Sequence, residues 1–211
     1  MKEAYLFLML AITVYSGYKQ VFEIIKTKTI KNLYVPESLF AILVCSSSYI
    51  MLFIDKSFVS KYIVLILVSM LLVKHLVTIF LSILYSKELV NLYYYIIAVS
   101  IILIQILLYS YDPRLYFEIN YDIYKFISAI MFLVLSVQAA KIIQNNSYKG
   151  ISLTSYKLLC ITDILKIAYF LIIAEYFLSL CFTLVFAIHF LCVMLSNFKV
   201  RDKLNRVFTK K

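Results

Sequence analysis

The chain has only two glycines and two prolines, and no tryptophan at all. Gly17 and Gly150 cannot build a glycine-rich phosphate loop, and no P-loop, HExxH or GxSxG sequence occurs. The enzyme classes built on those motifs are therefore excluded, and no catalytic residue or cofactor is expected. The four cysteines, Cys45, Cys160, Cys181 and Cys192, form no CxxC pair and all fall in or at the ends of apolar runs. There a cysteine acts as a small apolar side chain, which argues against a disulfide framework and a metal site alike. Acidic residues are also scarce, 11 against 21 Lys and Arg, for a net charge of +10.

What fills the chain is apolar. Of its 211 residues 64% are hydrophobic and the mean hydropathy is +0.95, whereas a soluble domain is only about half apolar. Seven runs, near 4–25, 38–54, 62–85, 91–111, 123–144, 158–175 and 179–198, approach the roughly 20 residues needed to span a bilayer. The runs are continuous rather than alternating, which excludes a β-barrel. The first contains Lys19, Gln20 and Glu23 and lacks a small-residue cleavage site, so it reads as a retained helix rather than a signal peptide. The expected fold class is all-α, a bundle of seven transmembrane helices.

Seven spans also explain the charge without invoking nucleic acid. The N-terminus and the loops after spans 2, 4 and 6 carry Lys2, Lys56, Lys61, Arg114 and Lys125. The opposite side carries Lys26, Lys28, Lys31, Lys87, Lys149, Lys157, Lys199, Arg201, Lys203, Arg206, Lys210 and Lys211. The positive-inside rule then places the C-terminus in the cytosol and the N-terminus in a lumen or outside, in an endomembrane or the plasma membrane. The basic tail is expected against anionic lipid headgroups.

A polar signature recurs within this apolar background. From Gln20 the chain reads QVFEIIKTKTIKNLYV, and from Gln138 it reads QAAKIIQNNSYKGISL. At that offset of 118, Ile24 and Ile25 meet Ile142 and Ile143, Lys31 meets Lys149, Asn32 meets Gly150, and Leu33 meets Ile151. Internal repeats in a membrane chain predict two structural halves around a shared site. The predicted division is a first three-helix repeat over 1–86, a connector helix and loop over 87–122, a second repeat over 123–198 and a basic tail over 199–211. The connector lets two three-helix units insert in the same orientation, a 3+1+3 arrangement.

The third spans share a further pattern. His75, Thr78 and Ser82 in one, and His189, Cys192 and Ser196 in the other, fall at i, i+3 and i+7, along one helix face. Two readings stand side by side for the two histidines: structural residues satisfied by a neighbouring helix, or the lining of a shared polar pocket able to sense pH. In the sixth span Asp163 and Lys166 also share a face. They read as a mutual ion pair or as a proton or substrate site, and the two readings are compatible. Lys74 needs an acid, a cavity or an interface, with Asp163 a candidate partner across the halves. Tyr49 and Tyr169 are the tyrosines expected near a pocket, whereas Lys19, Glu23 and Lys141 are explained by snorkelling and local pairing.

Gln138, Ser147, Gly150-Ile151-Ser152-Leu153, Asp163 and Tyr169 follow one another in a spacing that resembles the PQ-loop repeat of the SWEET and PQ-loop superfamily. The first copy is similar through Gln20, Lys28-Thr29 and Leu33. The resemblance implies a seven-helix transporter in which a polar residue on the third helix of each repeat lines the substrate site, and His75 and His189 stand there. Two departures are plain: Lys19 and Val137 replace the prolines of the Pro-Gln pairs, and no tryptophan is present to stack on a sugar. Ser152-Leu153-Thr154 and Tyr49-Ile50-Met51-Leu52 also resemble segments of the KDEL-receptor family, which shares the fold but binds a peptide carboxylate through membrane arginines. All three arginines here, Arg114, Arg201 and Arg206, lie outside the spans.

Two functions follow as expectations. The first is transport of a small polar solute by alternating access, with His75, His189, Tyr49, Tyr169, Thr78 and Lys74 at the site and Asp163 and Lys166 coupling a proton. The alternative is a retrieval receptor for a C-terminal peptide. The expected partners are the lipid bilayer and the solute or peptide, and a second copy of the chain is left open.

Overall fold

The computed structural model describes residues 2–43, 45, 61–86, 89–172 and 174–209, and every regular element among them is helical. In chain order these are α1 (Lys2–Thr27), α2 over residues 36–43, α3 (Lys61–Ser86), α4 (Leu89–Tyr111), α5 (Pro113–Gln144), α6 (Leu153–Ile172), α7 (Tyr176–Met194) and α8 (Phe198–Thr209).

Four of them, α3, α4, α5 and α7, are long and apolar enough to cross a membrane, which gives the chain the make-up of an integral membrane protein. α1 and α6 have the length, 26 and 20 residues, but Lys19, Glu23 and Lys26 in one and Lys157, Asp163 and Lys166 in the other dilute the apolar run. The packing accounts for this. α1 lies against α3 and α6, and α6 and α5 both lie against α7, while α4 packs on α3 and α5. A helix enclosed by protein can carry polar groups that find partners there, and one facing lipid cannot. Only 11% of the apolar stretch of α4 is buried, against 39% in each of the other three.

Three boundaries differ from expectation, each for a local reason. The loop expected between Asp112 and Asp122 is almost entirely helix. Asp112 caps α5, its carboxylate accepting from the Arg114 and Leu115 amides at 2.8 and 3.2 Å, and Pro113 sits at the first helical position. α6 begins five residues before the apolar run because the Ser152 hydroxyl accepts from the Ser155 amide at 3.2 Å. The basic tail forms the helix α8, pinned to the end of α5 by Arg201 and Asn205, which donate to Asn146 Oδ1 at 3.0 Å and to the Ile143 carbonyl at 2.8 Å. Of the second expected span, residues 44 and 46–54 lie outside the described residues.

The internal repeat holds at the level of single hydrogen bonds. α1 and α5 each give way to a residue in the left-handed region, Lys28 (φ 49°) and Asn146 (φ 43°), 118 positions apart. In the following loops the Leu33 amide donates to the Ile30 carbonyl and the Ile151 amide to the Tyr148 carbonyl. The Lys31 amide donates to Thr29 Oγ1, and the Lys149 amide to Ser147 Oγ. Below each loop sits an apolar cluster, around Ile24, Leu33 and Ile79 in the first half and Ile142, Ile151 and Leu195 in the second.

Candidate functional site

The two loops are tied to each other by the glutamines that open the repeat. Gln20 donates to the Gly150 carbonyl at 2.8 Å and accepts from the Ser152 amide at 2.9 Å. Reciprocally, Gln138 donates to the Asn32 carbonyl and accepts from the Tyr34 amide at 2.5 Å. Asn32 and Tyr34 stand 118 positions before Gly150 and Ser152, so the same bidentate bond is made twice, each half reaching into the other. Burying these backbone groups without partners would cost about 1–3 kcal/mol apiece. The approach also requires a glycine: at Gly150 (φ +84°) a Cβ would lie 2.6 Å from the Thr29 carbonyl oxygen.

Next to this cross-link, and lined in part by Gln20, Leu33 and Tyr34, lies a cavity of about 440 Å³. Its walls come from α1, α2 and α3 on one side and α5, α6 and α7 on the other. Eight of the residues singled out in the sequence line it: Gln20, Lys74, His75, Thr78, Asp163, Lys166, Tyr169 and His189. Gln138, Gly150 and Ser152 do not; they belong to the loop cross-link. Tyr49 lies outside the described residues.

The polar groups form two clusters. In the second half, Asp163 is fully buried and its Oδ2 lies 2.5 Å from Nδ1 of His189. Lys166 approaches the other oxygen at 3.7 Å, its ammonium 4.8 Å from the centre of the Phe182 ring. That oxygen, Oδ1, is itself buried and accepts no hydrogen bond among the described residues, so Lys166 is its nearest charged neighbour. The Tyr156 ring meets His189 edge-on with centroids 5.6 Å apart. The sequence reading of Asp163 and Lys166 as a pair is met in part, since the shorter contact of Asp163 is to His189.

In the first half, His75 Nδ1 is 3.4 Å from Ser38 Oγ and 3.4 Å from the Lys74 ammonium. Lys74 forms no ion pair with Asp163 within 4 Å among the described residues, the partner considered for it above. Its aliphatic stem instead crosses α1 at Gly17, where a Cβ would come within 3.0 Å of it. Thr78 donates to the Lys74 carbonyl at 2.9 Å, so its hydroxyl proton is committed to its own helix while its oxygen can still accept. Of the two shared i, i+3, i+7 faces, only His75, Thr78 and His189 reach the cavity.

Sequence reasoning missed Glu37, Ser16, Ser38, Ser155 and Tyr156, all of which line the cavity. Glu37 follows Pro36 at the opening of α2 and so looked like a loop residue; its place after a helix-starting proline was the available signal. Ser16 donates to the Ser155 carbonyl at 2.9 Å, joining α1 to α6 across the halves. No arginine is among the cavity's lining residues, and no group of three or more His, Cys, Asp or Glu among the described residues is placed to hold a metal ion.

No family model, no curated protein and no solved structure matches the chain.

Proposed function

We propose that this chain is a multi-pass transporter that moves a small polar solute, a sugar or an amino acid by size, by alternating access between two three-helix halves in a 3+1+3 bundle of the SWEET and PQ-loop type. One observation carries the reading: a cavity of about 440 Å³ lies between the halves, with its charged and hydrogen-bonding groups drawn from both. Binding sites at repeat interfaces are the rule for secondary transporters. His75, Lys74 and Thr78 from one half, and Asp163, Lys166, His189 and Tyr169 from the other, would contact the solute. Asp163 supplies a buried negative charge, and the lysines supply donors. The contact between Asp163 and His189 is where a coupled proton would be carried. Lys199, Lys203 and Arg206 on α8 would rest on anionic headgroups at a cytosolic C-terminus.

The test is uptake by purified protein in liposomes, with labelled sugars and amino acids screened with and without an inward proton gradient. Flux above that of empty liposomes, abolished in Asp163→Asn, is the expected result. Flux by no solute in folded protein, or flux untouched by that substitution, overturns the reading.

The cavity's two lysines favour a second reading, a retrieval receptor whose lysines take the carboxylate of a C-terminal peptide. Lysine does so as a point charge, without the fork of an arginine. Saturable binding of a Lys-Asp-Glu-Leu-terminated peptide, stronger at about pH 5.5 than at about pH 7.4 on either side of the histidine reference value, would establish it and displace transport.

A further inference from the structure

A second cavity, of about 320 Å³, lies at the loop end of the bundle, where the 28–36 loop meets the end of α3 and the start of α4. Its walls differ in kind from those of the first. Lys31 and Lys141 are the charged residues, and no carboxylate is found, among the described residues that line it. Tyr34, Tyr85, Tyr94 and the buried Asn91 also line it, the Asn91 amide donating to Ser86 Oγ. The central cavity sets Glu37 and Asp163 against its two lysines, whereas the described lining of the second carries positive charge alone.

The position of Lys141 is telling. It lies on the last turns of α5, half-buried, and donates to the Leu33 carbonyl at 3.3 Å while lying 5.5 Å from the centre of the Tyr34 ring. An ammonium has three N–H donors, and a backbone carbonyl takes one. Snorkelling to bulk water would explain a lysine whose head points away from protein. This head is instead held at the wall of a cavity beside Tyr34, and Lys31 is a second cation among the lining residues. The cavity also borders α4, the helix most open to lipid, and it sits at the end of the bundle that carries α8 and the dense basic residues. Basic pockets between helices at that level suit the phosphate of a lipid headgroup. Leu33 and Tyr34 line both cavities, so an occupant here would touch the wall that closes the central one.

We propose that this second cavity is a binding site for a phosphate-bearing anion, held by Lys141 and Lys31 with hydroxyl donors from the tyrosines, and presented either on a lipid headgroup or as free phosphate. The proposal does not depend on the transport reading.

The experiment is native mass spectrometry and thermal melting of the full-length protein under three conditions: pure phosphatidylcholine, phosphatidylcholine with a phosphatidylinositol phosphate, and phosphatidylcholine with inorganic phosphate alone. Retention of the anionic lipid with raised melting identifies a headgroup site, and raised melting with inorganic phosphate identifies a free-anion site. Affinity should fall about five-fold for Lys141→Gln or Lys31→Gln and more for the pair, from the usual strength of one lysine at an anionic surface. Lys203→Gln on α8 serves as the control for diffuse attraction, and Lys141→Arg should restore binding. The melting point in pure phosphatidylcholine reports whether each variant is folded. Binding of neither probe overturns the site, as does equal binding by the parent and the folded double variant, or a loss with Lys203→Gln as large as with Lys141→Gln.

Discussion

The two halves keep the same skeleton but carry different chemistry around their histidines. In both, a glutamine from the first helix holds the backbone of the opposite loop through two hydrogen bonds. In both, the residue at one register touches the histidine: Ser38 near His75, and Tyr156, 118 positions later, near His189. From there the halves part. Asp163 stands where the first half has Cys45, and Lys74, directly before His75, stands where the second half has Ile188, directly before His189. His189 therefore meets a buried carboxylate at 2.5 Å, while His75 meets a hydroxyl and a lysine. The bonds that repeat bind backbone, which every residue offers; the contacts that diverge depend on side-chain identity at one position. The same backbone bonds can thus recur at an offset of 118 while the cavity's side chains make it polar in two different ways.

The sharpest break of this comparison is removal of the carboxylate that only one half has. Asp163→Ala leaves His189 and Lys166 facing a cavity without their anion. A buried ion pair broken from one side costs about 3–5 kcal/mol, so melting in detergent should fall far more than for Cys45→Ala at the equivalent position. Equal losses would show that Asp163 contributes packing rather than charge. Next comes Gly150→Ala, which places a Cβ 2.6 Å from the Thr29 carbonyl oxygen at a φ of +84°. Left-handed strain and the displaced loop should together cost about 2–4 kcal/mol. At Asn32, the counterpart, the same change removes the bonds to the Lys149 carbonyl and from Asn145 and should cost nearer 1–2 kcal/mol. The melting points of the two variants order these effects.

The skeleton itself is tested by Gln20→Ala and Gln138→Ala. Each deprives one backbone amide and one carbonyl of their partners, a loss of about 2 kcal/mol, and reciprocity requires the two losses to be close. Amide exchange at Ser152 should accelerate in the first variant and at Tyr34 in the second. A loss confined to one variant would mean that only one of the two cross-links bears load.

How much of this could be read in the sequence depends on whether the signal was local. Seven apolar runs led to an expectation of seven spans, of which four are helices able to cross a membrane among the described residues, and the offset of 118 predicted which loop residues would match. Eight of the expected residues came together because polar side chains on otherwise apolar helices have few places to go except inward. Partners on other helices were not legible. Helix spacing says which residues share a face, not which helix that face meets, so Lys74 was matched with Asp163 although its stem runs over Gly17. The glutamines were legible as a motif but not as bonds to backbone across the halves. The start of α5 was missed because apolar count outweighed the Asp112-Pro113 cap, and α8 because a tail of alternating charge carries no long apolar run.

The smallest expected effect completes the comparison at His75. Its neighbours, Ser38 and Lys74, provide a hydroxyl oxygen and an ammonium, and both contacts lie at 3.4 Å, beyond the usual hydrogen-bond distance. Truncation to alanine therefore removes weak contacts and a ring next to a cavity that water or solute can fill, at a cost of about 1 kcal/mol or less. His189→Ala leaves the buried Asp163 with Lys166 alone at 3.7 Å and should cost at least twice as much. The same pair separates structure from transport. If His75 touches the solute, its alanine variant should melt near the parent yet lose uptake; if both melting and uptake stay at the parent level, the working half of the cavity is the one that holds Asp163.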